Sequence, residues 1–335
     1  MKHRMMVWRL CALVLLMSLG GGGLGPSVAS AREAINYRLK WLINASTAGD
    51  IFASKQGYFA REGLNVDVKA GGPERDAIRE LELGYAQFGV ASADQVIRAI
   101  AKGASVVVLA QLFQVNPLQW IYRAHDFSLK RIRDLAGKTV GITYGGNDET
   151  IMRALLATAG LGEDQVHLAS VRYDYTPFLR DKVQVWPVYR NTQGVYLSDK
   201  LKAAGEPVAF FDPSAHGVRF VANSVVTSRK MLDQEPRTVR RFLRALLAGW
   251  RAALAPANED AVIRAVAQYD RDTTPAVMRR QLALTRQMVQ PDPSVPIGHI
   301  DTAAWRQTER IMVQQKLIPG PVNVVDRLRP QPSTR

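Results

Sequence analysis

Residues 35–66 read INYRLKWLINASTAGDIFASKQGYFAREGLNV, and this stretch decides the fold class. Residues 35–43 have the aliphatic and aromatic composition of a strand, and residues 48–61 have that of a helix. Gly63 stands where a left-handed residue commonly ends a helix, and residues 64–68 alternate apolar with polar side chains, as in a half-buried strand. The stretch therefore predicts a β-α-β unit, whose two strands run parallel in one sheet.

The alternation of strands and helices continues along the chain. It predicts further strands at 85–91, 106–109, 119–123, 139–143, 166–171, 183–188 and 207–211. It also predicts helices at 74–83, 92–102, 148–159, 193–204, 236–255, 258–269, 274–289 and 301–317. We expect an α/β chain with two lobes, each built on a parallel sheet that helices cover on both faces.

The composition is that of a globular protein with more than one core. The chain has 335 residues, of which 47% are hydrophobic, and single cores rarely grow beyond about 250–300 residues. Its 44 basic residues outnumber its 30 acidic residues, which gives a net charge of +14. This charge leaves nucleic acid, an acidic membrane surface and an anionic ligand open as partners.

The first residues predict where the protein acts. Basic residues precede the apolar run CALVLLMSL at 11–19, and the small residues Ala29, Ser30 and Ala31 follow it. This pattern predicts that residues 1–31 are a secretory signal peptide cleaved after Ala31, so the mature protein is expected to be periplasmic and free of a membrane anchor. The cleaved segment holds the chain's one cysteine, so no disulfide is expected. Export also argues against nucleic acid as a partner.

The residues that usually carry catalysis are not assembled in the sequence. The five histidines lie far apart, and none has a second histidine, cysteine or carboxylate at the spacing of a metal site. The sequence has no G-x-S-x-G elbow and no Walker A motif. We therefore predict no catalytic residue, no metal and no cofactor, and a protein that is not an enzyme.

Aromatic and polar residues instead follow several predicted strands, where open α/β sheets bind ligands. These loops combine rings and amides with backbone N–H groups at helix starts, which suits a small ring or an oxyanion. The candidate ligand-binding residues in them are Trp41, Asn44, Thr47, Ser92, Tyr144, Gly145, Gly146, Asn147, Trp186, Tyr189 and Asn191.

Several stretches of the chain resemble one family. They are WLINASTAG at 41–49, KQGYF at 55–59, EGLNV at 62–66, GVAS at 89–92, KRIRDLAGKTVG at 130–141, VWPVY at 185–189, and residues 236–254. In this order and spacing they resemble the periplasmic solute-binding proteins of ABC importers, in the branch that takes up thiamine pyrimidine precursors, aliphatic sulfonates, taurine or nitrate. The resemblance covers nearly the whole mature chain.

The resemblance implies a two-lobed type 2 periplasmic binding protein fold. Two crossover strands would lie near 114–119 and 218–226, and the C-terminal region would be helical. Lobe 1 would comprise residues 32–117 and 222–335, and lobe 2 would comprise residues 118–221. The lobes would close on one small molecule and deliver it to a membrane ABC permease, and the protein would act as a monomer.

Departures from the pyrimidine-binding branch bear on the ligand. Thr47 stands where that branch carries histidine, and Gln184 and Asn223 stand where it carries aspartate. Its Asn-Glu-Pro is replaced around residues 191–193 (NTQ). Amides satisfy the donors and acceptors of a neutral heterocycle but supply no full negative charge. We therefore expect a neutral or weakly anionic aromatic ligand, similar to a thiamine pyrimidine precursor, with Asn223 as a further binding residue.

Three alternatives stay open at this point. A binder of sulfonate, taurine or nitrate is the main rival, because the predicted helix starts at 47–49, 92–94 and 146–148 can hold an oxyanion. An enzyme like the eukaryotic pyrimidine synthase of similar fold is less favoured, because that enzyme uses a cysteine-rich segment and has histidine at the position of Thr47. A sensor or adaptor that has kept the fold would show the same sequence pattern.

Overall fold

The computed structural model describes residues 32–72, 75–172 and 174–329, so the predicted signal peptide lies outside the described residues. The strands are β1 (Glu33–Arg38), β2 (Leu64–Lys69), β3 (Phe88–Ala91), β4 (Val106–Gln111), β5 (Leu118–Arg123), β6 (Thr139–Ile142), β7 (His167–Ser170), β8 (Trp186–Tyr189), β9 (Val208–Phe211) and β10 (Ser224–Ser228). The α-helices are α1 (Ala48–Lys55), α2 (Tyr58–Arg61), α3 (Ala77–Glu82), α4 (Ala93–Ala101), α5 (Asn147–Ala159), α6 (Thr176–Leu179), α7 (Gln193–Ala203), α8 (Arg229–Gln234), α9 (Pro236–Leu254), α10 (Glu259–Ala267), α11 (Pro275–Val289) and α12 (Thr302–Gln314).

The first sheet has the strand order β2-β1-β3-β10-β4. β1 pairs in parallel with β2 and β3, whereas β10 is antiparallel to both β3 and β4. The parallel pairing of β1 with β2 confirms the β-α-β unit predicted from residues 35–66. The expectation of a wholly parallel sheet was wrong, because β10 reaches this sheet only after the second sheet is complete and enters it from the opposite direction.

The second sheet repeats this arrangement. β6 pairs in parallel with β7, and a parallel bridge joins Val140 in β6 to Val185 beside β8. β5 lies antiparallel between β8 and β9. The three-stranded sheet β8-β5-β9 and the two-stranded sheet β6-β7 are joined by this bridge into the order β7-β6-β8-β5-β9. As in the first sheet, an antiparallel strand separates the third parallel strand from the fourth.

The chain passes between the sheets twice. Residues 112–117 lead from β4 to β5, and residues 212–223 lead from β9 to β10. In both cases the strand that follows the crossing is the antiparallel one in its new sheet. The second sheet is therefore one continuous segment of chain, whereas the first combines strands from before and after it.

Helices α1 and α9 pack closely against each other beside the first sheet. A Cβ atom on Gly49 would lie 1.9 Å from Cδ2 of Trp250, and one on Gly249 would lie 2.3 Å from the Cβ of Ala53. Glycine is required at both positions because any side chain would overlap the facing helix. This contact fixes the start of α1, which follows the first predicted binding loop.

The helix predicted at 48–61 is divided in the structure. α1 ends before Gly57, whose φ of +72° is left-handed, and α2 follows it. Gly63 also has a φ of +72°, which confirms the left-handed residue predicted at the end of this segment. Across the residues that the structure describes, none of the helices is both long and apolar enough to cross a membrane.

Candidate ligand-binding site

The carboxyl ends of strands from both sheets open onto one cavity of about 640 Å³. The first sheet contributes the loops that follow β1 and β3, and the second contributes those that follow β6, β7 and β8. This is the edge of an open α/β sheet at which ligands bind. The volume lies within the range of about 300–1,000 Å³ that is common for small-molecule sites.

The cavity brings together all but one of the residues predicted from the sequence. They are Trp41, Asn44, Thr47, Ser92, Tyr144, Gly145, Gly146, Asn147, Trp186, Tyr189 and Asn223. Asn191 is the exception, because its buried side chain lies outside this lining and donates to the hydroxyl of Thr285 at 2.9 Å. A turn closed by the bond from the Thr192 N–H to the Tyr189 carbonyl (2.9 Å) directs Asn191 toward α11 instead.

The loop after β1 is shaped by its own side chains. Oδ1 of Asn44 accepts from the backbone N–H of Ser46 at 2.8 Å, and Oγ1 of Thr47 accepts from that of Asn44 at 3.2 Å. These bonds form a capping box around a short 3-10 helix at residues 45–47, which leads directly into α1. Asn44 and Thr47 therefore hold the loop in shape and also line the cavity.

The loop after β6 makes a tight turn before α5. Gly145 has a φ of +79°, a conformation that glycine adopts without strain. A Cβ atom on Gly146 would lie 2.3 Å from Oδ1 of Asp148. The two glycines thus let the backbone turn and approach the carboxyl group of Asp148, while the ring of Tyr144 remains 54% exposed.

Aromatic rings line the cavity at different depths. Trp186 is 1% exposed, and its ring centroid lies 6.1 Å from those of both Tyr175 and Phe178. Tyr189 at the end of β8 is partly buried. The packing of Trp186 fixes its orientation, so it forms a rigid part of the wall, whereas Tyr144 is accessible to solvent.

The walls also carry charged side chains that were not predicted from the sequence as binding residues. They are Lys40, Asp50, Asp94, Asp148 and Arg172. Asp94 and Asp148 lie in the first turns of α4 and α5, where acids commonly serve only to favour the helix dipole. The position of Asp94 and Asp148 shortly after predicted strand ends was the one feature of the sequence that pointed to a place in the site. Among the residues that the structure describes, no three His, Cys, Asp or Glu side chains are placed to hold a metal ion.

Lys40 links the two sides of the cavity. It follows β1, and its Nζ donates to the hydroxyl of Tyr189 in β8 at 3.0 Å. Burial lowers the pKa of Lys40, but the nearby Tyr189, Asp94 and Asp148 raise it by more, so that it lies above its usual value. Lys40 is therefore an ammonium ion inside the cavity.

Asp94 and Asp148 are both buried and both hydrogen-bonded to uncharged donors. Asp94 accepts from the hydroxyl of Ser92 at 2.6 Å, and Asp148 accepts from the backbone N–H of Thr143 at 2.6 Å. Burial raises the pKa of Asp148, although the bond from Thr143 acts in the opposite direction. The cavity thus contains carboxyl groups that have been withdrawn from water without a bonded cation.

Asp50 joins the cavity to the core behind it. Its Oδ1 accepts from the hydroxyl of Tyr37 at 2.7 Å and from the indole N–H of Trp250 at 3.3 Å. Burial raises the pKa of Asp50 to about 7, although both hydrogen bonds lower it. Asp50 therefore changes its charge near neutral pH.

Residues 44–259 match the protein family described as NMT1/THI5 like. The match covers more than half of the chain and includes most of the loops that line the cavity. The chain belongs to the NMT1/THI5-like family. The family resemblance predicted from the sequence is thereby confirmed.

Relatives of this NMT1/THI5-like chain include two binding proteins. It is 26% identical over 317 residues to the riboflavin-binding protein RibY of Chloroflexus aurantiacus, covering 89% of this chain and 86% of RibY. It is 25% identical over 290 residues to the formylaminopyrimidine-binding protein of Halalkalibacterium halodurans, covering 83% of this chain and 84% of that protein. It is also 23% identical to a 4-amino-5-hydroxymethyl-2-methylpyrimidine phosphate synthase of Legionella pneumophila, covering 67% of this chain and 70% of the synthase.

Among solved structures, this NMT1/THI5-like chain resembles the periplasmic aliphatic sulphonate binding protein SsuA from Escherichia coli. The TM-score is 0.70 at 17% identity, covering 90% of this chain and 94% of SsuA. At this identity the likeness shows the fold alone. It confirms the predicted periplasmic binding protein fold.

Proposed function

We propose that this protein is an extracytoplasmic solute-binding protein that delivers a small aromatic heterocycle to an ABC permease. The observation that carries the proposal is the shared cavity, which strand ends of both sheets line together. Two sheets joined by two chain connections can open and close around a ligand by changes at those connections and at the side-chain contacts between the sheets, such as that of Lys40 with Tyr189. Closure then couples binding to a shape that a permease can recognise.

An aromatic heterocycle suits the walls of this cavity. Trp41, Tyr144, Trp186 and Tyr189 supply rings, and ring pairs associate favourably at centroid distances of about 4.5–7 Å. Polar side chains such as those of Asn44, Ser92 and Asn147 line the same cavity and can bond the nitrogen and oxygen atoms of a heterocycle. The names of two relatives support this class, because riboflavin and formylaminopyrimidine are both heterocycles.

The proposal also states where the protein acts and how the chain divides into two lobes. Residues 1–31 act as a cleaved signal peptide, and the mature monomer works in the periplasm, as the location of SsuA supports. Residues 32–117 and 222–335 form lobe 1, and residues 118–221 form lobe 2. This division follows the two crossings between the sheets.

Binding in this proposal leaves the solute unchanged, even though one relative is named as a synthase. The hydroxyl of Thr47, which replaces a histidine of the pyrimidine-binding branch, accepts from the N–H of Asn44 and donates to its carbonyl at 2.9 Å. Both bonds lie within its own loop, so Thr47 offers no free base to a ligand. This supports a binding role over a catalytic one.

Calorimetry of the purified protein with formylaminopyrimidine, riboflavin, taurine and propanesulfonate tests the proposal. We expect saturable 1:1 binding of a heterocycle, recovery of that compound unchanged by mass spectrometry, and about 2.7 kcal/mol of added stability at 100 times its Kd. Trp186→Ala should weaken binding, whereas Tyr269→Ala, a change at a 46% exposed ring outside the cavity lining, should not. Binding of the sulfonate or taurine alone, or consumption of the heterocycle, would contradict the proposal.

A further inference from the structure

Backbone N–H groups that precede α4 and α5 are already bonded to the chain's own side chains. The backbone N–H of Thr143 donates to Asp148 at 2.6 Å, and that of Gly145 donates to Glu149 at 2.7 Å. At the start of α4, the N–H of Ser92 donates to Oε1 of Gln95 at 3.1 Å. An anionic ligand would have to displace two carboxylates and the amide of Gln95 from these donors before it could bind them.

Two buried acids of the cavity have no hydrogen-bonded cation, although the Lys40 ammonium lies near enough for both of them to raise its pKa. Asp94 and Asp148 are 4% and 6% exposed, and their bonded donors are uncharged. The ammonium of Lys40 is hydrogen-bonded to Tyr189 and makes no ion pair within 4.0 Å with an acid of the described residues. The other basic residue of the lining, Arg172, is exposed to solvent.

The wall also carries an unpaired acceptor that suits a ligand with an N–H or O–H donor. Asn223 is 8% exposed, and its Oδ1 has no hydrogen-bond partner among the residues that the structure describes. A buried carbonyl oxygen without a donor is costly, so a ligand that donates to it gains more than one that accepts. Asn147, which also lines the cavity, has a buried donor, Nδ2, without a partner among the described residues, so the wall offers a ligand an acceptor and a donor.

We propose that the cavity selects a planar ring that carries a positive charge over a planar anion of the same size, and that Asp94 and Asp148 are the residues that set this preference. The inference rests on the proposed solute-binding function and narrows its ligand class. It departs from the neutral or weakly anionic ligand expected from the sequence, because that expectation weighed the amides at 184, 191 and 223 and not these two acids.

Benzamidine and benzoate are matched probes for this inference, because both are small planar rings of opposite charge at neutral pH. Titration calorimetry of the wild-type protein should show benzamidine binding at least about tenfold more tightly than benzoate, since hydrogen bonds to charged partners are the strong ones. Asp94→Asn and Asp148→Asn should each weaken benzamidine binding by about tenfold, while keeping a side-chain acceptor for Ser92 or Thr143. Asp67→Asn makes the same charge change at an exposed site in β2 and should leave the Kd unchanged.

The inference is overturned if benzoate binds as tightly as benzamidine, if neither probe binds, or if both cavity variants retain wild-type Kd values. Two independent variants are used so that a folding defect in one, visible by circular dichroism, leaves the other to decide. If riboflavin or formylaminopyrimidine binds while the charge preference is absent, the charge inference fails and the solute-binding function stands. If no heterocycle binds, the proposed function itself fails.

Discussion

Replacing Asp50 by asparagine should remove a pH dependence that this buried carboxyl imposes on stability. The side chain is 2% exposed, and its pKa is raised from the usual 3.8 to about 7 in the folded protein. The folded protein therefore retains a proton that the unfolded chain releases as the pH rises above about 4. The free energy of unfolding is highest below about pH 4, where Asp50 is protonated in both the folded and the unfolded protein. It falls as the pH rises from about 4 to about 7, and above pH 7 Asp50 causes no further decrease.

The size of the effect follows from the shift in pKa. About three pH units at about 1.36 kcal/mol each correspond to a loss of about 4 kcal/mol in the free energy of unfolding. Asp50→Asn keeps an acceptor for Tyr37 and Trp250 but has no proton to release. The stability of the variant relative to the wild type should therefore rise by about 1.4 kcal/mol per pH unit between about pH 4.5 and 6.5.

Urea unfolding followed by tryptophan fluorescence and circular dichroism, at a series of pH values from 4.5 to 8, measures this difference. Subtracting the two proteins at each pH removes the contributions of all other titrating groups. Tyr37→Phe serves as a second variant, because losing a donor that lowers the pKa of Asp50 should extend the decline to higher pH. A difference between Asp50→Asn and wild type that stays constant or decreases over this range would refute the reasoning.

Two further substitutions test the packing that positions the site. Gly49→Ala should cost about 1–3 kcal/mol or more, because its Cβ would overlap Trp250, whereas Gly320→Ala, with no atom within 4 Å of the new Cβ, should be near neutral. Phe242→Ala should cost about 3–5 kcal/mol, because this ring is fully buried and stacks on Phe88 with centroids 3.7 Å apart. Urea unfolding at one pH measures both, and equal stabilities of Gly49→Ala and Gly320→Ala would contradict the packing argument.

Local sequence pattern predicts the elements of this fold better than their arrangement. The strand at Val106–Gln111 and the helix at Pro236–Leu254 lie where continuous aliphatic runs and a 3.6-residue period placed them. The antiparallel insertion of β10 carries no such local signal, because it depends on where the chain returns after the second sheet. The division at Gly57 was also missed, since an isolated glycine in a helical pattern is often tolerated.

In the candidate site, too, the sequence predicts which loops take part better than it predicts where each side chain points. Loops after strand ends were sufficient to select Trp41, Ser92 and Tyr189, because parallel strands direct their following loops to one edge. Asn191 lies only two residues beyond Tyr189, yet a single turn aims it at Thr285. Sequence spacing does not predict a turn of this kind. A prediction based only on nearness to a strand end therefore includes residues, such as Asn191, that do not line the cavity.

The charge of the cavity is a property of the residues at the helix starts and not of the fold. SsuA has a similar fold and is named for sulphonate binding, whereas the cavity of this chain is lined by the first-turn acids Asp94 and Asp148. In this chain Asp148 and Glu149 accept from the N–H groups of Thr143 and Gly145, so these two donors are not free for an oxyanion. Asp148→Ala would free one such donor and remove a carboxyl group together. That change should therefore shift the preference between benzamidine and benzoate toward the anion further than Asp148→Asn does, which a purely shape-based selection would not produce.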